Sequence, residues 1–121
     1  MKLAIVGSRD FTDYDLMCEY LKKYSPTMVI SGGARGADTL AERWARENNT
    51  PCTVYEADWE RLGKAAGKIR NSDIVSAADR LIAFWDYVSP GTHDSIKKAN
   101  KKGIPVEVVN INQPQRQLPF L

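Results

Sequence analysis

The chain has 121 residues, a length that suits one domain and leaves no room for separate catalytic and regulatory domains. With 43% hydrophobic and 26% charged residues it sits near the averages of a soluble globular protein; this excludes disordered and collagen-like classes, and a core can form without disulfide or metal staples. Seventeen Lys and Arg against fifteen Asp and Glu leave a net charge of +2, too small for a general polyanion binder, so any anion site must be local.

Residues 2–6 are a short aliphatic run that stops at Gly7-Ser8-Arg9, the pattern of a buried strand ending in a tight turn. Thr12 stands three residues before Asp15 in a capping-box-like start, and Leu16, Met17, Tyr20, Leu21 and Tyr24 follow at helical spacing until Ser25-Pro26. Residues 27–31 form a second apolar strand ending at Gly32-Gly33. After Gly36, the residues Ala37, Leu40, Ala41, Trp44 and Ala45 share one helical face, and residues 48–51 break the helix. Residues 52–55 read as a third strand, 56–63 as an irregular connection carrying Trp59, and 64–78 as a helix. A fourth strand spans 80–85, a loop 86–92 and a last helix 93–102, which Gly103 caps. Residues 104–109 make a fifth strand with Pro105 near its start, and 110–121 an irregular tail. The apolar end of that tail, Leu118-Pro119-Phe120-Leu121, is either frayed or docked on its own body or on a second subunit of a dimer.

Strands alternating with helices at this spacing predict an α/β, Rossmann-like, doubly wound and mainly parallel five-stranded sheet with right-handed crossovers and helices on both faces. Cys18 and Cys52 lack CxxC spacing and His93 is the single histidine, so neither a zinc set nor any other cofactor is expected. Two buried thiols suit a reducing compartment, and the apolar N-terminal run is far too short for a signal peptide or membrane span. The expectation is a cytoplasmic protein with no membrane partner.

Ligands of such a sheet bind beyond the carboxyl ends of the strands, where strand order reverses. The loops after strands one, two and four all carry glycine: Gly7-Ser8-Arg9-Asp10, Ser31-Gly32-Gly33-Ala34-Arg35-Gly36-Ala37-Asp38, and Asp86-Tyr87-Val88-Ser89-Pro90-Gly91-Thr92. Glycine lets backbone N–H groups approach an anion, and a following helix N-terminus adds a favourable dipole. Arg9 and Arg35 supply planar donor forks suited to phosphate or carboxylate, unless Arg9 pairs with Asp10 or Asp13 and Arg35 with Asp38. Asp38 either caps the second helix, accepts a ribose hydroxyl or orders Arg35.

Arg61, Lys64, Lys68 and Arg70 form a basic cluster that reads either as a solvated helix face or, since Arg70-Asn71 falls in that helix just before the fourth strand, as a placement of both residues at the rim of the same cleft. Lys97, Lys98, Lys101 and Lys102 read as solubility and capping. Trp59, Trp85 and Tyr87 stand near the loops, where they either stack a base or pack at strand ends. The first turn lacks G-x-G-x-x-G, and Gly63-Lys64-Ala65-Ala66-Gly67-Lys68-Ile69 is one residue short of a P-loop without its Ser/Thr. Neither dinucleotide binding nor ATP hydrolysis is indicated. Nor is there a nucleophile elbow, and His93 is expected to face solvent.

Taken in order, Val6-Gly7-Ser8-Arg9, the 31–38 loop, Arg70-Asn71 with residues 78–84, and Ser89-Pro90-Gly91-Thr92 resemble the SLOG superfamily over residues 2–109. The resemblance is nearest to its small YspA/YpsA-related proteins of bacteria and phages, and more distant to the Rossmann core of the DprA/Smf proteins. It implies a Rossmann-like fold whose glycine loops hold a nucleotide or nucleotide-derived small molecule. The LOG branch of the superfamily hydrolyses the N-glycosidic bond of nucleoside monophosphates through a P-G-G-x-G-T-x-x-E loop. Here Ser89-Pro90-Gly91-Thr92-His93-Asp94-Ser95 has lost a glycine and carries Ser95 where that glutamate would stand. Asp94 comes one residue early, about 100° away on a helix.

The expected site therefore comprises Gly7, Ser8, Arg9, Ser31, Gly32, Gly33, Ala34, Arg35, Gly36, Asp38, Arg70, Asn71, Trp85, Asp86, Pro90, Gly91 and Thr92, with a nucleotide-like small molecule as partner. Phosphate would rest on Arg9, Arg35, the 32–36 loop and the 91–92 turn. Two alternatives remain: an N-glycosidic phosphoribohydrolase or transferase using Asp38, Asp86 or Asp94, and a DprA-type single-strand DNA module using Arg61, Lys64, Lys68 and Arg70.

Overall fold

The structure, a computed structural model, describes residues 1–112, and its central strands are apolar on both faces. Five strands, β1 (Lys2–Gly7), β2 (Met28–Ser31), β3 (Cys52–Val54), β4 (Arg80–Trp85) and β5 (Val106–Asn110), pair in parallel in the order β3-β2-β1-β4-β5. Between them run α1 (Tyr14–Tyr24), α2 (Ala37–Glu47), the single turn α3 (Trp59–Leu62), α4 (Ala66–Ala77) and α5 (Pro90–Lys102). Side chains alternate across a strand, so β1 sends Leu3 and Ile5 to one face and Ala4 and Val6 to the other. Leu16, Met17 and Leu21 of α1 and Ala41, Trp44 and Ala45 of α2 cover the first face; Ile74 and Val75 of α4 and Ile96 and Ala99 of α5 cover the second. The predicted doubly wound α/β fold is present, with every strand pair parallel.

Local chemistry moves several predicted boundaries. The α1 cap is Asp13, whose carboxylate accepts from the Leu16 N–H at 3.1 Å, and not Thr12. The 56–63 connection contains the single turn α3, started by Asp58 in the same manner. The last helix starts at Pro90 and not at residue 93, because proline at the first helical position loses an N–H that would have no intrahelical acceptor. Gly91 and Thr92 thus belong to a helical first turn. Strand β5 begins after Pro105 and runs on to Asn110, so residue 110 is sheet and not tail, and Ile111 in the turn that follows still donates to the Trp85 carbonyl at 3.1 Å. The expected docking of Leu118 to Leu121 lies outside the described residues. Both cysteines are free and half-buried, less enclosed than expected.

The predicted lysine caps work across helices. Lys102 at the end of α5 donates to the carbonyls of Val75, Ser76 and Ala78 at 2.9–3.1 Å, so it satisfies the C-terminal turn of α4 and ties the two helices together.

Phe84, fully buried on β4, stacks on Phe11 with ring centroids 4.9 Å apart and meets Tyr20 edge-on. Phe84→Ala is expected to lower stability by about 3–5 kcal/mol, seen as a lower urea midpoint at an unchanged m-value. A loss below about 1 kcal/mol would contradict this packing.

Candidate functional site

Strand order reverses between β1 and β4: the chain leaves β1 toward β2 on one side, and β4 continues to β5 on the other. Their following connections therefore diverge and open a cleft of about 480 Å3 at the carboxyl edge. Its walls come from the loop after β1 (Gly7, Ser8, Arg9, Asp10), the start of α2 (Ala34, Arg35, Asp38), α4 (Arg70, Asn71, Ile74) and the start of α5 (Ser89, Pro90, Gly91, Thr92, Ser95).

The first two walls are held together by backbone contact. Gly36 has φ +73, and a Cβ there would stand 2.3 Å from the Ser8 carbonyl oxygen; the Ala37 N–H also donates to that oxygen at 3.2 Å. Only glycine tolerates both the left-handed angle and the approach. Arg9 and Arg35 are consequently brought to the same cleft. Neither ion pair weighed for them forms: among the described residues both guanidiniums are exposed and take part in no hydrogen bond or ion pair.

Two helices begin at the cleft without a side-chain cap. At α2 the capping position is Gly36, which has no side chain. At α5 it is Ser89, whose hydroxyl instead donates to Asp86 at 2.9 Å. First-turn N–H groups left without such caps carry the positive end of the helix dipole, the arrangement that binds anions elsewhere.

A second set of bonds braces the walls. Arg70 donates from Nη1 to the Gly32 carbonyl at 2.7 Å and from Nε to Oδ1 of buried Asn71 at 3.0 Å. Asn71 donates in turn to the Gly91 carbonyl at 3.2 Å and to Asp94 at 3.1 Å. Arg70-Asn71 thus links the 31–38 loop to α5. Asp38 is buried and accepts from the Ala34 N–H at 3.1 Å; it serves the loop in front of α2 and does not pair with Arg35. Burial pushes its carboxyl up to about 6, against the opposing effects of the Ala34 N–H and the Arg70 charge.

The other two carboxylates are engaged structurally. Burial opposes ionisation of Asp86, but the N–H groups of Ser89 and Val88 and the hydroxyls of Ser89 and Ser8 outweigh it and hold the carboxyl at about 2. Asp94 also resists burial, through Lys98 at 2.8 Å and Asn71, which keep it below the usual carboxylate range. Neither is among the residues lining the cleft.

Of the remaining predicted residues, Gly32 and Gly33 line an adjoining hollow, while Ser31 and Gly36 support the loop from below. Trp85 lines neither cavity; its indole N–H donates to the Ser89 carbonyl at 3.0 Å. The indole stacks with Tyr87 at 4.4 Å and with His93 at 5.2 Å, so His93 is exposed yet held against a ring. Of the basic cluster, Arg61 pairs with Asp58 at 2.9 Å, and Arg70 belongs to the brace. The turn made by Asp86 was missed although Asp-x-x-Ser before Pro90 is a local signature for it. The partnerships of Asn71 and Asp38 link distant segments, and no local signal announces them. Among the described residues no group of three His, Cys, Asp or Glu side chains is placed to hold a metal ion.

Because the Asp38 carboxyl holds its proton more tightly when folded than at its ordinary value of 3.8, its contribution favours the native state below about pH 4 and is lost as pH rises to about 6. Asp38→Asn does not titrate. The stability of the native protein relative to Asp38→Asn should therefore fall by up to about 3 kcal/mol between pH 4 and 6.5, measured by urea unfolding at each pH; a flat or rising difference would exclude the raised carboxyl.

The sequence and the fold have counterparts among known proteins. Residues 1–62 match the profile of YAcAr, the YspA, cpYpsA-related SLOG family. Gene 61 protein of Mycobacterium phage D29 is 42% identical, covering 87% of this chain and 93% of that protein. Among solved structures, DNA processing protein A (DprA) of Streptococcus pneumoniae superposes with a TM-score of 0.67 at 19% identity, over 88% of this chain and 49% of that one. DNA processing protein A of Helicobacter pylori, described for its single-stranded DNA binding mode, gives 0.62 at 23% identity over 89% and 64%. The chain thus spans about half to two-thirds of the DprA chains whose fold it shares. With the family profile covering residues 1–62 and the phage protein similar along nearly its whole length, the chain belongs to the YspA, cpYpsA-related SLOG family.

Proposed function

We propose that the protein binds a nucleotide or nucleotide-derived small molecule at the carboxyl edge of its sheet, with phosphate held by Arg9, Arg35 and the first turns of α2 and α5. The observation that carries this is the convergence of two unpaired guanidiniums and two helix starts without side-chain caps on one cleft. An arginine fork aligns two parallel hydrogen bonds on phosphate, and the helix ends add N–H donors and a favourable dipole. The cleft volume of about 480 Å3 falls within the range of small-molecule sites, about 300–1,000 Å3. The net charge of +2 agrees with a small anion bound locally.

Holding the ligand fits better than cleaving it. Asp86 and Asp94 are committed to structural bonds, and Ser95 lines the cleft where the LOG-type loop would carry its glutamate. Release of free base from nucleoside monophosphates at saturating ligand would overturn this point. Two free, half-buried thiols suit the reducing cytoplasm; among the described residues no helix is long and apolar enough to cross a membrane.

A second reading is single-stranded DNA binding, favoured by the likeness to the Helicobacter pylori DprA fold. Exposed Lys64 and Lys68 would then follow the phosphates beside the cleft, since Arg61 and Arg70 already have protein partners. Affinity for an oligonucleotide would fall steeply with salt in that case; affinity independent of salt would reject it.

Calorimetric titration of the full chain with nucleoside monophosphates tests the first reading. Arg35→Ala and Arg9→Ala should each weaken binding by about 10- to 100-fold, the equivalent of one charge-assisted hydrogen-bonded contact of about 1.5–3 kcal/mol. Binding that does not depend on Arg35 would refute the phosphate assignment.

A further inference from the structure

Beside the cleft lies a second hollow of about 350 Å3 that shares Arg9, Arg35 and Arg70 with it and adds Gly33, Glu56 and Trp59. The two spaces adjoin at the three arginines, so a ligand spanning both would meet all three. To those guanidiniums the cleft adds the helix starts, whereas the hollow adds a large flat apolar surface and a carboxylate.

Trp59, on the single turn α3, is 52% exposed. One edge of its indole rests on α4 at Gly67, where a Cβ would stand 3.1 Å from Cη2. An exposed tryptophan fixed at one edge over a hollow is a stacking platform for a planar ring. Glu56 packs its stem against Gly33, where a Cβ would come within 3.1 Å of Cγ and 3.6 Å of Oε1, so the absence of a side chain at 33 keeps the carboxylate accessible. Among the described residues Glu56 takes part in no hydrogen bond or ion pair. A carboxylate repels phosphate and accepts N–H donors, so the phosphate belongs in the cleft and the uncharged ring in the hollow.

The number of donors on that ring decides its identity. An ionised carboxylate has two acceptor oxygens and matches an edge that offers two adjacent N–H donors. Guanine offers such an edge through its ring N–H and exocyclic amine. Adenine places an acceptor nitrogen next to its single amine and would set a lone pair against the second oxygen. We propose that the hollow is a base subsite selecting guanine nucleotides, with the base stacked on Trp59 and its two donors on Glu56. This rests on the reading of the cleft as the phosphate site.

Calorimetry of the full chain with GMP, AMP and ribose 5-phosphate separates the two claims. GMP should bind about tenfold or more tightly than ribose 5-phosphate, and more tightly than AMP. Trp59→Leu keeps apolar packing on Gly67 but removes the aromatic face. It should bring GMP affinity to within about threefold of ribose 5-phosphate while leaving ribose 5-phosphate unchanged. Glu56→Gln, an exposed isosteric change, should abolish the preference for GMP over AMP. Equal binding of GMP and ribose 5-phosphate, or no effect of Trp59→Leu, overturns the base subsite while Arg35-dependent binding of ribose 5-phosphate keeps the phosphate site. A preference for AMP overturns the guanine assignment, and binding of none of the three overturns both readings.

Discussion

A Cβ atom at Gly36 would stand 2.3 Å from the carbonyl oxygen of Ser8 and 2.5 Å from that of Arg9, well inside van der Waals contact. This backbone approach sets the spacing of the first two loops at the carboxyl edge. It directs the N–H of Ala37 at Ser8, starts α2 at that point, and brings Arg9 and Arg35 to one side of the cleft. Among the described residues both guanidiniums line the cleft without carboxylate partners.

The opposite wall depends on Arg70 and Asn71. A guanidinium that bonds the Gly32 carbonyl and a buried amide that bonds the Gly91 carbonyl join loops from the two halves of the sheet, across the point where they would otherwise separate. Asp38 occupies the same junction, where burial pushes its carboxyl up. Buried polar groups of this kind are expensive unless satisfied, and among the described residues no buried side-chain N or O atom lacks a hydrogen-bond partner. The polar groups of the brace are therefore satisfied, while Arg9, Arg35, Glu56 and Trp59 stay exposed at the cleft and the adjoining hollow.

Three carboxylates that look alike in the sequence end in different environments. Asp86 is surrounded by donors and ionises readily, Asp94 is paired with Lys98, and Asp38 is desolvated. The distinction follows from how far local donors offset burial: the Ser89 and Val88 N–H groups and the Ser89 hydroxyl for Asp86, Lys98 for Asp94 and the Ala34 N–H for Asp38, with Ser8, Asn71 and Arg70 adding to each from far away in the chain. It also separates Asp38, which faces the cleft, from the two that do not.

The sequence by itself determined the order and type of the main strands and helices, because short apolar runs ending at turn residues mark buried parallel strands and period-3.6 apolar patterns mark the buried faces of helices. It also marked the three glycine loops and the Arg70-Asn71 pair, since a parallel sheet puts its ligand edge after the strands whatever the side chains are. Boundaries set by competing local bonds escaped it: Asp13 caps α1 in place of Thr12, and Pro90 opens α5 three residues early. Only the tertiary structure decided that Arg9 and Arg35 go unpaired, that Trp85 stacks with Tyr87 and His93 outside the cleft, and that Trp59 and Glu56 flank a second hollow. The placement of Arg9 and Arg35 depends on the approach of Gly36 to Ser8, and that of the hollow on Arg70 at Gly32, contacts between residues tens of positions apart. The Trp85 stack joins nearer neighbours, but its geometry too is set by packing and leaves no periodic trace along the chain.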